Sequence, residues 1–216
     1  MKHIIKQEEP VSFTSWKTNA NKTPKKTYKT FSRKTSIRKD VKKALMNEQG
    51  YICCYCESRL GDEQSHIEHF KPQSLHPEES LNYNNLLCSC QKNLEQGEPR
   101  HCGNLKGDWF DKALLISPLD PNCESRFVYT FDGRIKPQDQ AAEETIEKLG
   151  LNIPKLIALR NKAIEGFLDD REDISDTELE HFVSQYLENF DEGKIIPYWT
   201  TIRYLFESNK NAQNLS

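Results

Sequence analysis

Cysteines stand on both sides of a His-Ile-Glu-His run at residues 66–69: Cys53-x-x-Cys56 precedes it, and Cys90 and Cys102 follow. Four thiolates can close a tetrahedral zinc site. Closing one from these positions would draw distant stretches of chain to one point, together with Glu68, His69, Asn85 and Asn104. The chain has seven cysteines, no apolar run of membrane-span length, and no apolar stretch of signal-peptide type in residues 1–30. A cytoplasmic protein with reduced thiols is therefore expected, which favours metal binding over a disulfide framework. A redox Cys-x-x-Cys pair should follow a strand at a helix start. Here a helix is expected before the pair and more cysteines come after it, so zinc is the better reading. Cys88 is a rival to Cys90, and Cys54 and Cys123 read as ordinary thiols.

At 36% hydrophobic and 29% charged residues the composition is lean, which suits a small metal-stapled unit beside a helical one. Residues 1–43 carry 13 Lys and Arg against 3 Asp and Glu, while the remainder carries 17 against 30. Residues 1–35 thus read as a basic arm that orders on a partner, with Trp16, Tyr28 and Phe31 interleaved among charges suited to a polyanion. Residues 36–115 hold every candidate ligand, and residues 116–216 form a hairpin plus a helical region. Ser36 would cap a helix bearing Ile37, Val41, Ala44 and Leu45 and ended by Gly50. Short strands are expected around the Cys53–Cys56 turn and over 67–70, then a helix from about Asn82 through the 88–90 cysteines. Residues 91–100 read as an inserted loop. Asp132-Gly133 between β-formers predicts a hairpin with a type I′ turn. Helices follow: one around Ile146 and Leu149, one opened by Pro154 that buries Leu156, Leu159, Ile164, Phe167 and Leu168, and one capped by Ser175-x-x-Glu178. The third bears Leu179, Phe182, Val183, Tyr186, Leu187 and Phe190, and a last helix after Pro197 carries Tyr198, Ile202, Leu205 and Phe206.

The residue types around position 69 suit phosphodiester hydrolysis. A neutral histidine, His69, is a good base near pH 7. A hard cation such as Mg²⁺ or Mn²⁺ takes oxygen ligands, which Glu68 and Asn104 supply, with His101 a rival to Asn104. Asn85 can orient the imidazole by a hydrogen bond, and Lys106 can contact a phosphate. Residues three apart on a strand point to opposite faces and cannot easily bind one metal, so His66 is set aside as a metal ligand.

Residues 51–107 resemble an HNH, or ββα-metal, endonuclease. Glu68-His69 takes the place of that family's acidic-His dipeptide, Asn85 its central Asn, and Asn104 before Lys106-Gly107 its last position. The spacing from Asn85 to Cys90 matches the pattern and favours Cys90 over Cys88. The resemblance implies an α+β fold: a zinc-stapled ββα-metal nuclease core with a C-terminal helical region. Cys-Cys-Tyr-Cys-Glu, Ile-Glu-His-Phe-Lys-Pro, Asn-Leu-Leu-Cys-Ser-Cys, His-Cys-Gly-Asn-x-Lys-Gly, Pro-Leu-Asp-Pro and the Phe-Asp-Gly-Arg-Ile hairpin are similar to the PtuB family of HNH proteins. That family implies a nuclease effector of a Septu antiphage system, partnered by an ABC-type ATPase (PtuA) and in some cases by a retron reverse transcriptase with its RNA–DNA. DNA and tRNA both stand as substrates. The competing readings are a non-catalytic zinc module that binds nucleic acid or protein, and a thiol redox protein.

Overall fold

Aromatic side chains, rather than charge, decide how the basic N-terminal stretch folds. The structure is a computed structural model that describes residues 1–19, 26–168, 176–188 and 193–207. Helices α1 (Val11–Thr18) and α2 (Tyr28–Ser32) bring Phe13, Trp16 and Phe31 together, with the Phe13 and Phe31 ring centroids 4.9 Å apart. These rings are buried with Val41 and Leu45 of α3 (Thr35–Glu48). The described part of residues 1–35 is therefore packed in the core, not a solvated arm awaiting a partner. Three rings removed from water outweigh the cost of ordering a polar segment. Ser36 does not cap α3, which begins one residue earlier after Lys34 and has no side-chain cap. Its other end closes at Gly50, where Tyr51 N–H reaches Met46 O (2.8 Å) and Gly50 N–H reaches Asn47 O (3.0 Å). Gly50 has φ +58°, and a Cβ there would lie 2.2 Å from Ile195 Cγ1.

The chain passes directly from this closure into the Cys53–Cys56 turn. A single bridge, Ile52 to Arg59, flanks that turn in place of the expected strands. Strand β1 (His66–His69) pairs antiparallel with β2 (Leu86–Ser89), with His66 opposite Ser89 and His69 opposite Leu86. The helix expected from Asn82 through residue 90 is thus a strand preceded by a 3-10 turn at Tyr83–Asn85. A short apolar run fits either period. Here pairing with β1 decides, aided by Gln49, whose buried amide bonds both Cys88 N–H (2.7 Å) and Cys88 O (2.8 Å). The helix of the ββα unit is α4 (Cys102–Lys106), reached through the irregular segment 91–100.

Strands β3 (Phe127–Tyr129) and β4 (Ile135–Pro137) form the expected hairpin, with Tyr129 opposite Ile135. Its turn is not type I′: Gly133 has φ +81° but Asp132 is not in the left-handed region. Thr130 O instead accepts from Gly133 (2.9 Å), the pattern of a longer loop with one left-handed glycine. Helices α5 (Gln140–Lys148), α6 (Pro154–Leu168), α7 (Asp176–Glu188) and α8 (Trp199–Phe206) follow. Leu156, Ile164 and Phe167 of α6 are buried, but Leu159 and Leu168 are 37% and 41% exposed. Arg160 is buried in their place, donating to Gly133 O (2.6 Å) and Leu151 O (2.7 Å). On α7, Val183 and Leu187 are buried; Ser175 and Phe190 lie outside the described residues. One hydrophobic cluster takes side chains from the N-terminal helices, the metal unit and the C-terminal helices alike. No described helix is long and apolar enough to cross a membrane.

Candidate active site and metal centre

The turn after α3, the end of β2 and the start of α4 bring Cys53, Cys56, Cys90 and Cys102 together, their sulphurs all within 4.8 Å of one another. Cys56 Sγ and Cys90 Sγ are 3.8 Å apart, and thiolates at ~2.3 Å from a tetrahedral zinc would be separated by about 3.8 Å. The donor set and spacing fit zinc. Burial opposes ionisation of Cys53, but hydrogen bonds from neighbouring thiols outweigh it and pull its pKa down, whereas burial pushes that of Cys102 up. Cys88 is buried outside the cluster, and Cys54 and Cys123 also stand apart from it. Cys102 itself has φ +54° and its N–H is held by Leu149 O at 2.7 Å, so the end of α5 sets the entry to α4. His101 Nδ1 lies 3.1 Å from Cys102 Sγ and 3.7 Å from Cys90 Sγ. It faces the thiol cluster, which removes it as a rival ligand beside Glu68.

Glu68 is buried and its two oxygens have different surroundings. Oε1 lies 3.0 Å from Lys106 Nζ and accepts from Tyr55 OH at 3.3 Å. Oε2 is 3.5 Å from His66 Nε2. Burial alone would raise the Glu68 pKa, but His66 and the Lys106 ammonium outweigh it and hold the carboxylate ionised, below its ordinary range. Lys106, read from the sequence as a phosphate contact, is buried with its ammonium paired to this carboxylate.

His69 is 8% exposed, with its ring edge-on to Tyr28 at 4.4 Å between centroids. Its Nε2 is 3.1 Å from Ser80 O. Burial holds its pKa below the ordinary histidine value, against opposing pulls from the Ser80 carbonyl and Glu68. Asn85 does not touch this ring. Its Oδ1 accepts from Lys71 N–H (2.8 Å), and its Nδ2 donates to Lys71 O (3.0 Å) and Glu79 O (3.2 Å). It thereby holds the backbone next to Ser80, acting on the imidazole at one remove.

Asn104 departs further from expectation, because its amide donates to Gln91 O at 2.9 Å. The α4 residue that faces Glu68 is Gly103: a Cβ there would lie 2.4 Å from Glu68 Oε2 and 3.2 Å from His66 Nε2. His66 is the residue the sequence reading passed over. Its signal was present, since His66 and Glu68 are two apart on a strand and so share a face.

A buried four-thiol site beneath a short ββα unit, with a carboxylate and an imidazole at the end of its first strand, defines an HNH endonuclease. No protein-family model matches the chain. It is 34% identical over 142 residues to the candidate HNH endonuclease of retron Vc95 from Vibrio cholerae, covering 61% of this chain and 67% of that one. It is 30% identical over 173 residues to the candidate HNH endonuclease of retron Ec83 from Escherichia coli, with the same coverage of 61% and 67%. To Septu protein PtuB of Bacillus thuringiensis it is 30% identical over 114 residues, spanning 41% of that protein. The chain belongs to the family of HNH endonucleases that includes PtuB and these retron-associated proteins.

Proposed function

We propose that the protein hydrolyses phosphodiester bonds of nucleic acid, with His69 as general base and Glu68 as a ligand of the catalytic cation, Mg²⁺ or Mn²⁺. The observation that carries this reading is the tethered imidazole beside the buried, ionised carboxylate. A carbonyl oxygen only accepts, so the Ser80 contact puts the proton on Nε2 and leaves Nδ1 with its lone pair. Burial keeps the ring neutral near pH 7. Nδ1 then takes a proton from water as its oxygen attacks phosphorus in line with the leaving oxygen. A bound cation supplies charge neutralisation at the phosphate and the leaving oxygen. Zinc at Cys53, Cys56, Cys90 and Cys102 would hold the frame and take no part in proton transfer.

The polyanion has a path to this site. A cavity of about 340 Å³ next to His66 and Tyr28 is lined by Arg38, Lys39 and Lys42 of α3, by Lys92, and by Asp62, which pairs with Lys42, and Glu63. Such a row of cations suits a phosphate backbone read without regard to base. We infer an antiphage effector working with an ABC-type ATPase of the PtuA kind, and the relatives named for retrons Vc95 and Ec83 support a retron as a further partner. The test is incubation of the purified chain, with and without that ATPase, with DNA and with tRNA in Mg²⁺ or Mn²⁺. Metal-dependent cleavage of either is expected. Binding without cleavage under every condition would favour the non-catalytic zinc module.

A further inference from the structure

We propose that His66 and Glu68 together form a mixed nitrogen–oxygen ligand pair for the catalytic cation, and that this pair selects a transition ion such as Mn²⁺ over Mg²⁺. The proposal rests on the nuclease reading for the ion's presence, and on geometry for the pair itself. Alternate residues of β1 share a face, which sets the His66 and Glu68 side chains side by side. Nε2 and Oε2 are 3.5 Å apart, longer than a sound hydrogen bond. Two cis donors at ~2.1 Å from an octahedral ion stand about 3 Å apart, so a side-chain shift of roughly half an ångström closes the pair on one ion.

Each remaining atom of the pair is already disposed of. Oε1 of Glu68 is taken by Lys106 and Tyr55, so the carboxylate offers Oε2 alone. His66 Nδ1 is buried with no hydrogen-bond partner among the described residues, so Nε2 is the nitrogen through which the ring can meet a ligand. The glycine at 103 keeps the α4 side of the pair free of any side chain, since a Cβ there would press on both Oε2 and Nε2. The Asn104 amide nitrogen is held by Gln91 O at 2.9 Å, which ties that side chain to the segment after β2. Mg²⁺ binds through oxygen and is reluctant to shed water. An imidazole nitrogen in the set shifts preference toward first-row transition ions. Lys106 already offsets the charge of Glu68, which predicts modest affinity.

The experiment uses the full chain with its four-cysteine site zinc-loaded and no nucleic acid present. Mn²⁺ is titrated and followed by electron paramagnetic resonance, with pulsed measurements to detect coupling to a ligating ¹⁴N. One site with ¹⁴N coupling is expected, displaced by Mg²⁺ only at tenfold or greater excess. His66→Gln should abolish the coupling and bring Mg²⁺ to within a fewfold of Mn²⁺; His66→Ala should weaken Mn²⁺ binding at least tenfold. A wild-type site without ¹⁴N coupling, coupling that survives in His66→Gln, or Mg²⁺ competing equally in the wild type would each overturn the proposal. A protein that binds Mn²⁺ in this way but cleaves no nucleic acid would overturn the nuclease reading and leave the ligand pair standing. Cleavage supported by an oxygen-only Mn²⁺ site would do the reverse.

Discussion

The His69 imidazole is tied through Nε2 to the Ser80 carbonyl at 3.1 Å, and that contact assigns the ring's proton. Ser80 is placed in turn by the backbone that Asn85 grips at Lys71 and Glu79. The proposed base is therefore aligned by a main-chain oxygen at the end of a short relay, not by a side-chain partner of its own.

Replacing the base is expected to remove chemistry and spare the frame. His69→Ala should lower the cleavage rate at least about 100-fold, with zinc content unchanged by metal analysis. Because burial lowers the His69 pKa, its active neutral form is already dominant at neutral pH. Cleavage should thus rise with pH through an inflection below ~6.5 and be level above it. An inflection on the alkaline side of that value, or a rapid His69→Ala enzyme, would remove His69 from the role.

Asn85→Ala should reduce rate and stability together. Three part-buried hydrogen bonds from the Asn85 side chain to the backbone are lost, a cost of roughly 2–4 kcal/mol at about 1 kcal/mol each, visible as a lower thermal midpoint. If the rate collapsed with the midpoint unmoved, Asn85 would be acting on the reaction directly and not through the backbone beside Ser80.

The two neighbouring cysteines of β2 and its exit should behave differently. Cys90→Ser is expected to lose zinc and unfold, since a structural zinc contributes on the order of 10 kcal/mol and a domain has only ~5–15 in total. Cys56→Ser should do the same. Cys88→Ala should keep its zinc, because that sulphur lies outside the cluster. Stoichiometric zinc in Cys90→Ser, or its loss in Cys88→Ala, would contradict the assignment.

Arg38 and Lys39 are exposed on α3 beside the cavity that reaches His66. Changing both to Ala should weaken nucleic-acid binding and reduce the slope of log K against log salt by about 2. An unchanged slope would place the substrate on another face.

The metal centre and much of the helical region were legible from residue order because their rules are local or combinatorial. Reduced thiols in this number favour one tetrahedral site, and Asp132-Gly133 and Pro154 mark a hairpin and a helix start wherever they occur. The N-terminal helices were hidden because Phe13, Trp16 and Phe31 follow no period; they meet only when two short helices fold over α3. Strand β2 was misread because its apolar residues suit either geometry until β1 lies alongside. Arg160 carries a charge that argues for the surface, and only the carbonyls of Gly133 and Leu151 make its burial tolerable.

Residue order by itself supplied the candidate thiol ligands, the Glu68-His69 pair and the family resemblance, since these depend on which donors exist and how far apart they lie along the chain. Tertiary structure alone decided which groups converge on Glu68. The rotation of α4, set by the left-handed Cys102 and its bond to Leu149 O, turns Gly103 toward the carboxylate and Asn104 away from it. A helix turns about 100° per residue, so neighbouring positions of α4 present different faces, and nothing in the linear spacing records that angle.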